Sequence, residues 1–316
     1  MAGSAVPAFM APLEELRQRV AEAETAGPDG RAQAALLRAR LEEEARRVTA
    51  HLTPWQRCQL ARHPERPFTL DYVRGLCTEF VELHGDRGFA DDPAIVAGLA
   101  KLDGKAVAVV GHQKGRDIRE RLYRNFGQPR PEGYRKALRV MHLAGKFGLP
   151  VLSFVDTPGA YPGIDAEERG QAEAIARNLR EMAVLQVPIV VVVTGEGGSG
   201  GALAIGVGDR VLMLEQAIYS VISPEGCAAI LWKDQNEVQK AAGALRLTAT
   251  DLKRLGVIDE IIPEPLGGAH MDPGLVVRTV GRAIRKTLLE LRRVKPADLP
   301  RRRYARFRVM GQFSER

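Results

Sequence analysis

The segment Pro188–Val193 reads PIVVVV and runs directly into TGEGGSGGALAIG, Thr194–Gly206. An unbroken apolar run offers no polar face to water, so both faces of the strand it forms must be covered, as in a parallel sheet packed between helices. A second run, VLSFVD over 151–156, passes in the same way into TPGAYPG. In such sheets ligands collect at the carboxyl ends of the strands, where both glycine turns lie.

The rest of the chain supplies the alternation that an α/β fold needs. Ala94–Lys101 and Lys105–Gly111 flank Asp103-Gly104, a hairpin signal. Pro131-Glu132-Gly133 opens a helix with Ala137, Val140, Met141 and Ala144 on one side, and Gly148 ends it. A helix is predicted over Glu167–Leu185 and a strand over Arg210–Ile222; Ser223-Pro224-Glu225 then starts a helix with serine as its N-cap. Ahead of this body, Leu13, Leu16, Val20 and Ala23 form one amphipathic stripe. After the breaker GPDG, Leu37, Leu41, Ala45, Val48 and Leu52 form another, which predicts an antiparallel helical hairpin. The hairpin either lies on its own core or holds a second subunit. The expected organisation is an arm over 1–60, an α/β body over 61–295 and a basic tail over 296–316.

At 316 residues, 45% hydrophobic and 27% charged, the chain has room for one large domain with an appendage. No apolar run approaches the roughly 20 residues of a membrane helix. The amino terminus has neither a basic n-region nor a long apolar h-region, so a cytosolic location is expected. Cys58, Cys77 and Cys227 form no C-x-x-C and read as buried thiols rather than a zinc site or a disulfide framework. A net charge of +7 leaves room for an anionic partner. With 5% aromatics and no nucleic-acid signature, the basic tail RRRYARFRVMGQFSER reads as solvated or docked on a partner.

Four chemistries compete for the loop at Thr194–Gly206. A phosphate loop would need a lysine and a hydroxyl after its last glycine, but Gly200-Gly201 runs into Ala202-Leu203-Ala204. A dinucleotide fold would need an acid about 20 residues on, where Ala217–Ser223 is neutral. Gly197-Gly198-Ser199-Gly200-Gly201 does satisfy G-x-S-x-G, and Asp259 and His270 complete the order of a serine-hydrolase triad. The fourth is an oxyanion hole of bare amides at a helix start. Asp156-Thr157-Pro158-Gly159 matches a GTPase D-x-x-G, but its companion motifs are missing. Glu196 is read as a carboxylate favoured by the helix dipole rather than an acid of the site. Arg116, Arg119 and Arg121 meet phosphates or a partner, or face solvent; His84 reads as structural.

RPEGYRKALRVMHLAGKFGLPVLSFVDTPGAYPGIDAEERGQAEAIARNL and VVVTGEGGSGGALAIGVGDRVLMLEQAIYSVISPEGCAAILWKD closely resemble the alpha subunits of the carboxyltransferase component of bacterial acetyl-CoA carboxylase. The resemblance runs from the helical hairpin to about Pro263. It implies a crotonase-like spiral of strand-strand-helix units, and a chain that handles the biotin side of carboxyl transfer from carboxybiotin to acetyl-CoA, giving malonyl-CoA for fatty acid synthesis. It further implies a separate beta chain carrying a zinc ribbon, a biotin carboxyl carrier protein, biotin carboxylase in the larger complex, a cytoplasmic heterotetramer, and no metal in this chain. Carried over by motif, the oxyanion hole uses amides at Gly159, Ala160, Gly200, Gly201 and Ala202. Thr157, Pro158, Gly197, Gly198, Ser199, Ser223, Glu225 and Gly226 line the biotin pocket. Two other readings stand beside this one: a self-sufficient crotonase-type hydratase, isomerase or serine hydrolase using Ser199, and a noncatalytic scaffold.

Overall fold

A computed structural model of the chain describes residues 7–311. The arm begins with α1 (Ala11–Thr25) and α2 (Pro28–Ala50). Val20, Ala23, Ala34 and Leu37 close one small core between these two helices. Met10, Leu13, Ala45 and Leu52 close a second, together with Leu60 of α3 (Pro54–Ala61). The helix α3 also reaches inward: its Cys58 and Ala61 pack on Ile218, Ala242 and Leu247 of the body.

The joint between arm and body is polar. His63 and His270 stack with ring centroids 3.8 Å apart. Glu14 Oε1 of α1 lies 3.4 Å from His270 Nε2 and 3.9 Å from His63 Nε2. These three side chains are grouped closely enough to hold a metal ion, but His63 Nδ1 accepts the Glu65 N–H at 3.3 Å. Its proton is therefore on Nε2, facing Glu14, where a metal would need a lone pair. Burial lowers the His63 pKa to about 4 and that of His270 to about 2, and the nearby Arg17 and Arg66 push both the same way. An unfolded imidazole titrates near 6.5. Between these values the unfolded chain binds more protons, so the stability is complete above pH 6.5 and is lost as pH falls toward 4. The expected slope is about 1.4 kcal/mol per pH unit for each histidine. Urea midpoints should drop between pH 7.5 and 5.0, and by less in His270→Asn; equal drops in the two proteins would show that the stack is not the cause.

The body starts with α4 (Thr69–Leu76) and a sheet of eight strands. β1 (Thr78–Glu82), β2 (Ile95–Leu102) and β3 (Lys105–His112) are antiparallel. The predicted hairpin joins β2 to β3, with Asp103 and Gly104 both at positive φ as a type I′ turn requires. From β3 onward pairing is parallel, through β4 (Val151–Thr157), β5 (Ile189–Gly198), β6 (Arg210–Leu214) and β8 (Glu260–Ile262). The short β7 (Ile218–Ser220) pairs with the far end of β5. Every strand on the main path lies beside its predecessor in sequence, without the reversal of a doubly wound sheet. The chain therefore advances as a crotonase-like spiral.

Helices fill the crossovers. α5 (Ile118–Tyr123) and α6 (Pro131–Phe147) lead to β4; α6 buries Ala137, Val140, Met141 and Ala144 and ends at left-handed Gly148. The helix expected over Glu167–Leu185 is two, α7 (Ile164–Glu168) and α8 (Gln171–Val184), because Gly170 between them is left-handed. β5 leads to α9 (Ser199–Leu203), which is only five residues long. The strand expected over Arg210–Ile222 is likewise two, β6 and β7, because the chain turns between them, the Ala217 N–H donating to Leu214 O at 3.0 Å. α10 (Pro224–Leu231), capped by Ser223 as expected, α11 (Val238–Ala244) and α12 (Ala249–Arg254) precede β8.

α13 (Pro273–Leu291) packs Val276, Val280, Ile284 and Leu288 into the main core, and α14 (Leu299–Arg308) follows it. The tail is only partly solvated along α14: Arg301 and Arg302 are exposed, while Leu299 and Arg303 are buried. Arg303 is fully buried, pairing with Asp209 Oδ2 at 2.8 Å and donating to the carbonyls of Leu185 and Val187 at 2.9 and 3.1 Å. Cys58 and Cys227 are buried thiols as expected, and Cys77 is half-buried. No helix among the described residues is long and apolar enough to cross a membrane.

Candidate functional site

The carboxyl ends of β4 and β5 meet side by side, with Thr157 opposite Gly197. Thr157 folds its loop back: Oγ1 accepts the Gly159 N–H at 3.1 Å and donates to Gly159 O at 2.8 Å. The loop after β5 runs against it, backbone on backbone. A Cβ at Gly201 would fall 2.5 Å from Ala160 N and 2.6 Å from Gly159 C, and one at Gly198 would fall 2.2 Å from Pro158 O. Glycine is needed here because side chains would drive the two loops apart.

That contact gathers backbone donors. Gly200 and Gly201 are the second and third positions of α9, where amides have no intrahelical acceptor. Ala160 N–H, beside Gly201, donates to no acceptor among the described residues. Ala202 is fully buried at the fourth helical position. Beside Ser199 and Gly200 opens a cavity of about 410 Å³, walled by Leu203, Tyr219, Val221 and Phe307. Unpaired amides beside an apolar chamber can stabilise a developing negative oxygen.

Beneath the loops lies an ionic network that sequence reading missed. Lys114 Nζ, just past β3, is 2.7 Å from Asp156 Oδ1 and 2.9 Å from Glu196 Oε2. Arg62 Nε donates to Glu196 Oε1 at 2.6 Å, and its Nη2 reaches Glu225 Oε2 at 3.2 Å. Burial would raise the Glu196 carboxyl, but Lys114 and Arg62 outweigh it and hold the pKa at about 2. Burial would likewise lower the Lys114 ammonium, and Asp156 and Glu196 reverse the direction. Glu196 is therefore not a helix-dipole carboxylate: it stands on β5, three residues before α9, turned toward two cations. Glu225 is joined to the site through Arg62, whereas Ser223 caps Gly226 N at 3.1 Å and Gly226 packs against Ile222.

The residues of a serine hydrolase do not assemble. Ser199 is exposed, with φ of 51°. Asp259 pairs with Arg306 at 3.0 Å and accepts the Val211 N–H, while His270 lies in the arm joint beside Glu14. Among the arginines of the α5 segment, Arg116 stacks on Phe68 and pairs with Asp71, and Arg121 donates to Gly115 O at 3.2 Å. His84 pairs with Asp91 at 3.0 Å, in line with a structural role.

Solved structures share the architecture. A Pseudomonas malonate decarboxylase hetero-tetramer in complex with coenzyme A has a chain that is 18% identical with a TM-score of 0.59, covering 76% of this chain and 96% of that one. Transcarboxylase 12S with hydrolysed methylmalonyl-coenzyme A is 20% identical with a TM-score of 0.58, covering 74% and 43%. These likenesses concern the fold. In sequence, the acetyl-coenzyme A carboxylase carboxyl transferase subunit alpha of Geobacter metallireducens is 59% identical over 310 residues, 97% of this chain and 98% of the relative. The subunit alpha of a Thermus thermophilus strain is 58% identical over 311 residues, with the same coverage. A family model described as acetyl co-enzyme A carboxylase carboxyltransferase-like matches residues 6–311. With that match spanning nearly the whole sequence, the chain belongs to the acetyl-CoA carboxylase carboxyltransferase family, among its alpha subunits.

Proposed function

We propose that the chain is the biotin-side subunit of an acetyl-CoA carboxyltransferase, passing a carboxyl group from carboxybiotin to acetyl-CoA to give malonyl-CoA, the first committed step of fatty acid synthesis. The observation that carries this reading is the backbone contact between the loops after β4 and β5, which sets the unbonded Ala160 amide beside the start of α9. Carboxybiotin, borne on a biotin carboxyl carrier protein, supplies the carboxyl group and, through its ureido group, the base that the reaction needs. The amides of Ala160, Gly200 and Gly201 offer the donors for the ureido oxygen as it gains negative charge, whereas the Gly159 N–H is taken by Thr157 Oγ1 and Ala202, at the fourth helical position, begins the helix's own ladder. Each donor is worth roughly 3 kcal/mol in the transition state. Thr157, Pro158, Gly197, Gly198 and Ser199 shape the mouth of the pocket. Ser223, Glu225 and Gly226 border it at α10. The network of Lys114, Arg62, Asp156 and Glu196 keeps the charges beneath it paired.

One such site cannot present acyl-CoA as well, so the reading requires a beta chain with a zinc ribbon, and biotin carboxylase upstream in the complex. Val221 and, on α10, Ile230 and Leu231 expose apolar surface beside the pocket, which suits a covering subunit. We place the assembly in the cytoplasm as a heterotetramer with two copies of each chain. In this reading residues 1–60 form the arm, 61–295 the crotonase-like body and 296–316 the basic tail.

The purified chain alone should be nearly inactive. Mixed with its beta partner it should move carboxyl groups between malonyl-CoA and biocytin, and light scattering should give the mass of a two-plus-two complex. Full turnover by the isolated chain would refute the subunit reading.

A further inference from the structure

The ladder between β4 and β5 fails just before it reaches the loops. Val155 pairs with Val193 but Thr157 pairs with Gly197, so between these pairs one residue of β4 stands against three of β5. Thr194, Gly195 and Glu196 bulge opposite Asp156, so only the Thr157–Gly197 pair of the ladder stands between the bulge and the two loops. Other groups hold the bulge. Asp156 Oδ1 accepts the Glu196 N–H at 2.9 Å in place of a ladder bond. Gly195 admits the carboxylate, since a Cβ there would lie 2.4 Å from Asp156 Oδ1. On the other flank the buried guanidinium of Arg66 donates to Thr194 O at 3.2 and 2.8 Å and pairs with Glu264 at 2.7 Å.

Lys114 closes this arrangement. Asp156 is 2% exposed and Glu196 7%, and each directly precedes one of the loops. The same ammonium bonds both, at 2.7 and 2.9 Å. Without it Arg62 would still neutralise Glu196, but Asp156 would keep no ion-pair partner among the described residues, and a buried unpaired carboxylate would face Glu196 across the bulge where the loops begin.

We propose that Lys114 is a positioning residue for carboxyl transfer: its ammonium clamps the carboxylates that head the two loops and so sets the spacing between the Ala160 and Gly201 amides. The proposal rests on the oxyanion-hole reading above. Lys114 itself does not touch the reacting atoms.

The test uses the full chain assembled with its beta partner and compares wild type, Lys114→Met and Lys114→Met/Glu196→Gln. The double variant removes one carboxylate, so it folds even if the single one does not. In folded complexes kcat is expected to fall about 10²-fold, the scale of a misplaced catalytic geometry, with KM for malonyl-CoA and biocytin within twofold. Amide hydrogen exchange over residues 157–161 and 197–203 is expected to quicken at least tenfold. A merely structural lysine would lower the melting temperature and leave kcat per folded complex unchanged, which overturns the proposal. Unchanged exchange in both loops also overturns it, whether or not the enzyme turns over. If wild-type complex transfers no carboxyl group, the function assigned above fails instead, and exchange still decides whether Lys114 clamps the loops.

Discussion

Gly201→Val is expected to lower carboxyl transfer by ~10² or more, the effect of losing one oxyanion donor. The cause is steric and local. A Cβ at this position falls 2.5 Å from Ala160 N, closer than any real contact, and that atom is main chain that cannot swing aside. The loops must separate, carrying the Ala160 and Gly201 amides away from a shared target. Left-handed backbone is not the reason, since Gly201 is not among the glycines with positive φ. Ser199→Ala makes the contrast. Ser199 is exposed and its hydroxyl serves no acid-base partner, so transfer should fall less than roughly tenfold, well below the loss of a hole donor. Steady-state kinetics of both variants with the beta chain, and circular dichroism to confirm folding, give the comparison. Abolition by Ser199→Ala, or labelling of the native serine by a fluorophosphonate, would restore the hydrolase reading.

Arg303→Met should cost about 3–5 kcal/mol of stability, the range for breaking a buried ion pair from one side. Arg303 has no exposed side-chain surface and Asp209 keeps 4%, so the orphaned carboxylate cannot turn to water. The variant also strips donors from the carbonyls of Leu185 and Val187, between α8 and β5. Arg301, whose side chain is 83% exposed, is the internal control: Arg301→Met should stay within about 0.5 kcal/mol. Urea titrations of the three proteins would show it, and a loss below about 1 kcal/mol for Arg303→Met would mean that α14 is dispensable to the body.

What the sequence disclosed was the local chemistry. Asp103-Gly104 needs only its own backbone to make a hairpin, and Ser223 needs only the next three residues to cap α10. The apolar runs of β4 and β5 likewise state their burial directly. Gly170 was a local signal too, but it stands within an otherwise continuous apolar periodicity that masks the break between α7 and α8. The ionic network left no such trace. Glu196 is separated by 82 positions from Lys114 and by 134 from Arg62, so no window along the chain contains the partners. Each cation read alone resembles a solvated one. The two glycine loops were placed at one sheet edge by reasoning about strand ends, yet the β5 bulge beneath them depends on side chains from the segments after β3 and after α3.

The anchoring of α14 bears on how the protein is made. Arg303 neutralises a carboxylate that left the ribosome 94 residues earlier. Until α14 emerges, Asp209 at the foot of β6 lacks Arg303 as its buried counterion, and the start of β5, which Asp209 binds through the Ile189 amide, is unsealed. A chain cut ahead of Arg303 would carry every glycine of both loops and still hold β5 in an unfinished socket. Loss of the segment that carries Arg303 would therefore be felt in the stability of the body, not in the make-up of the two loops.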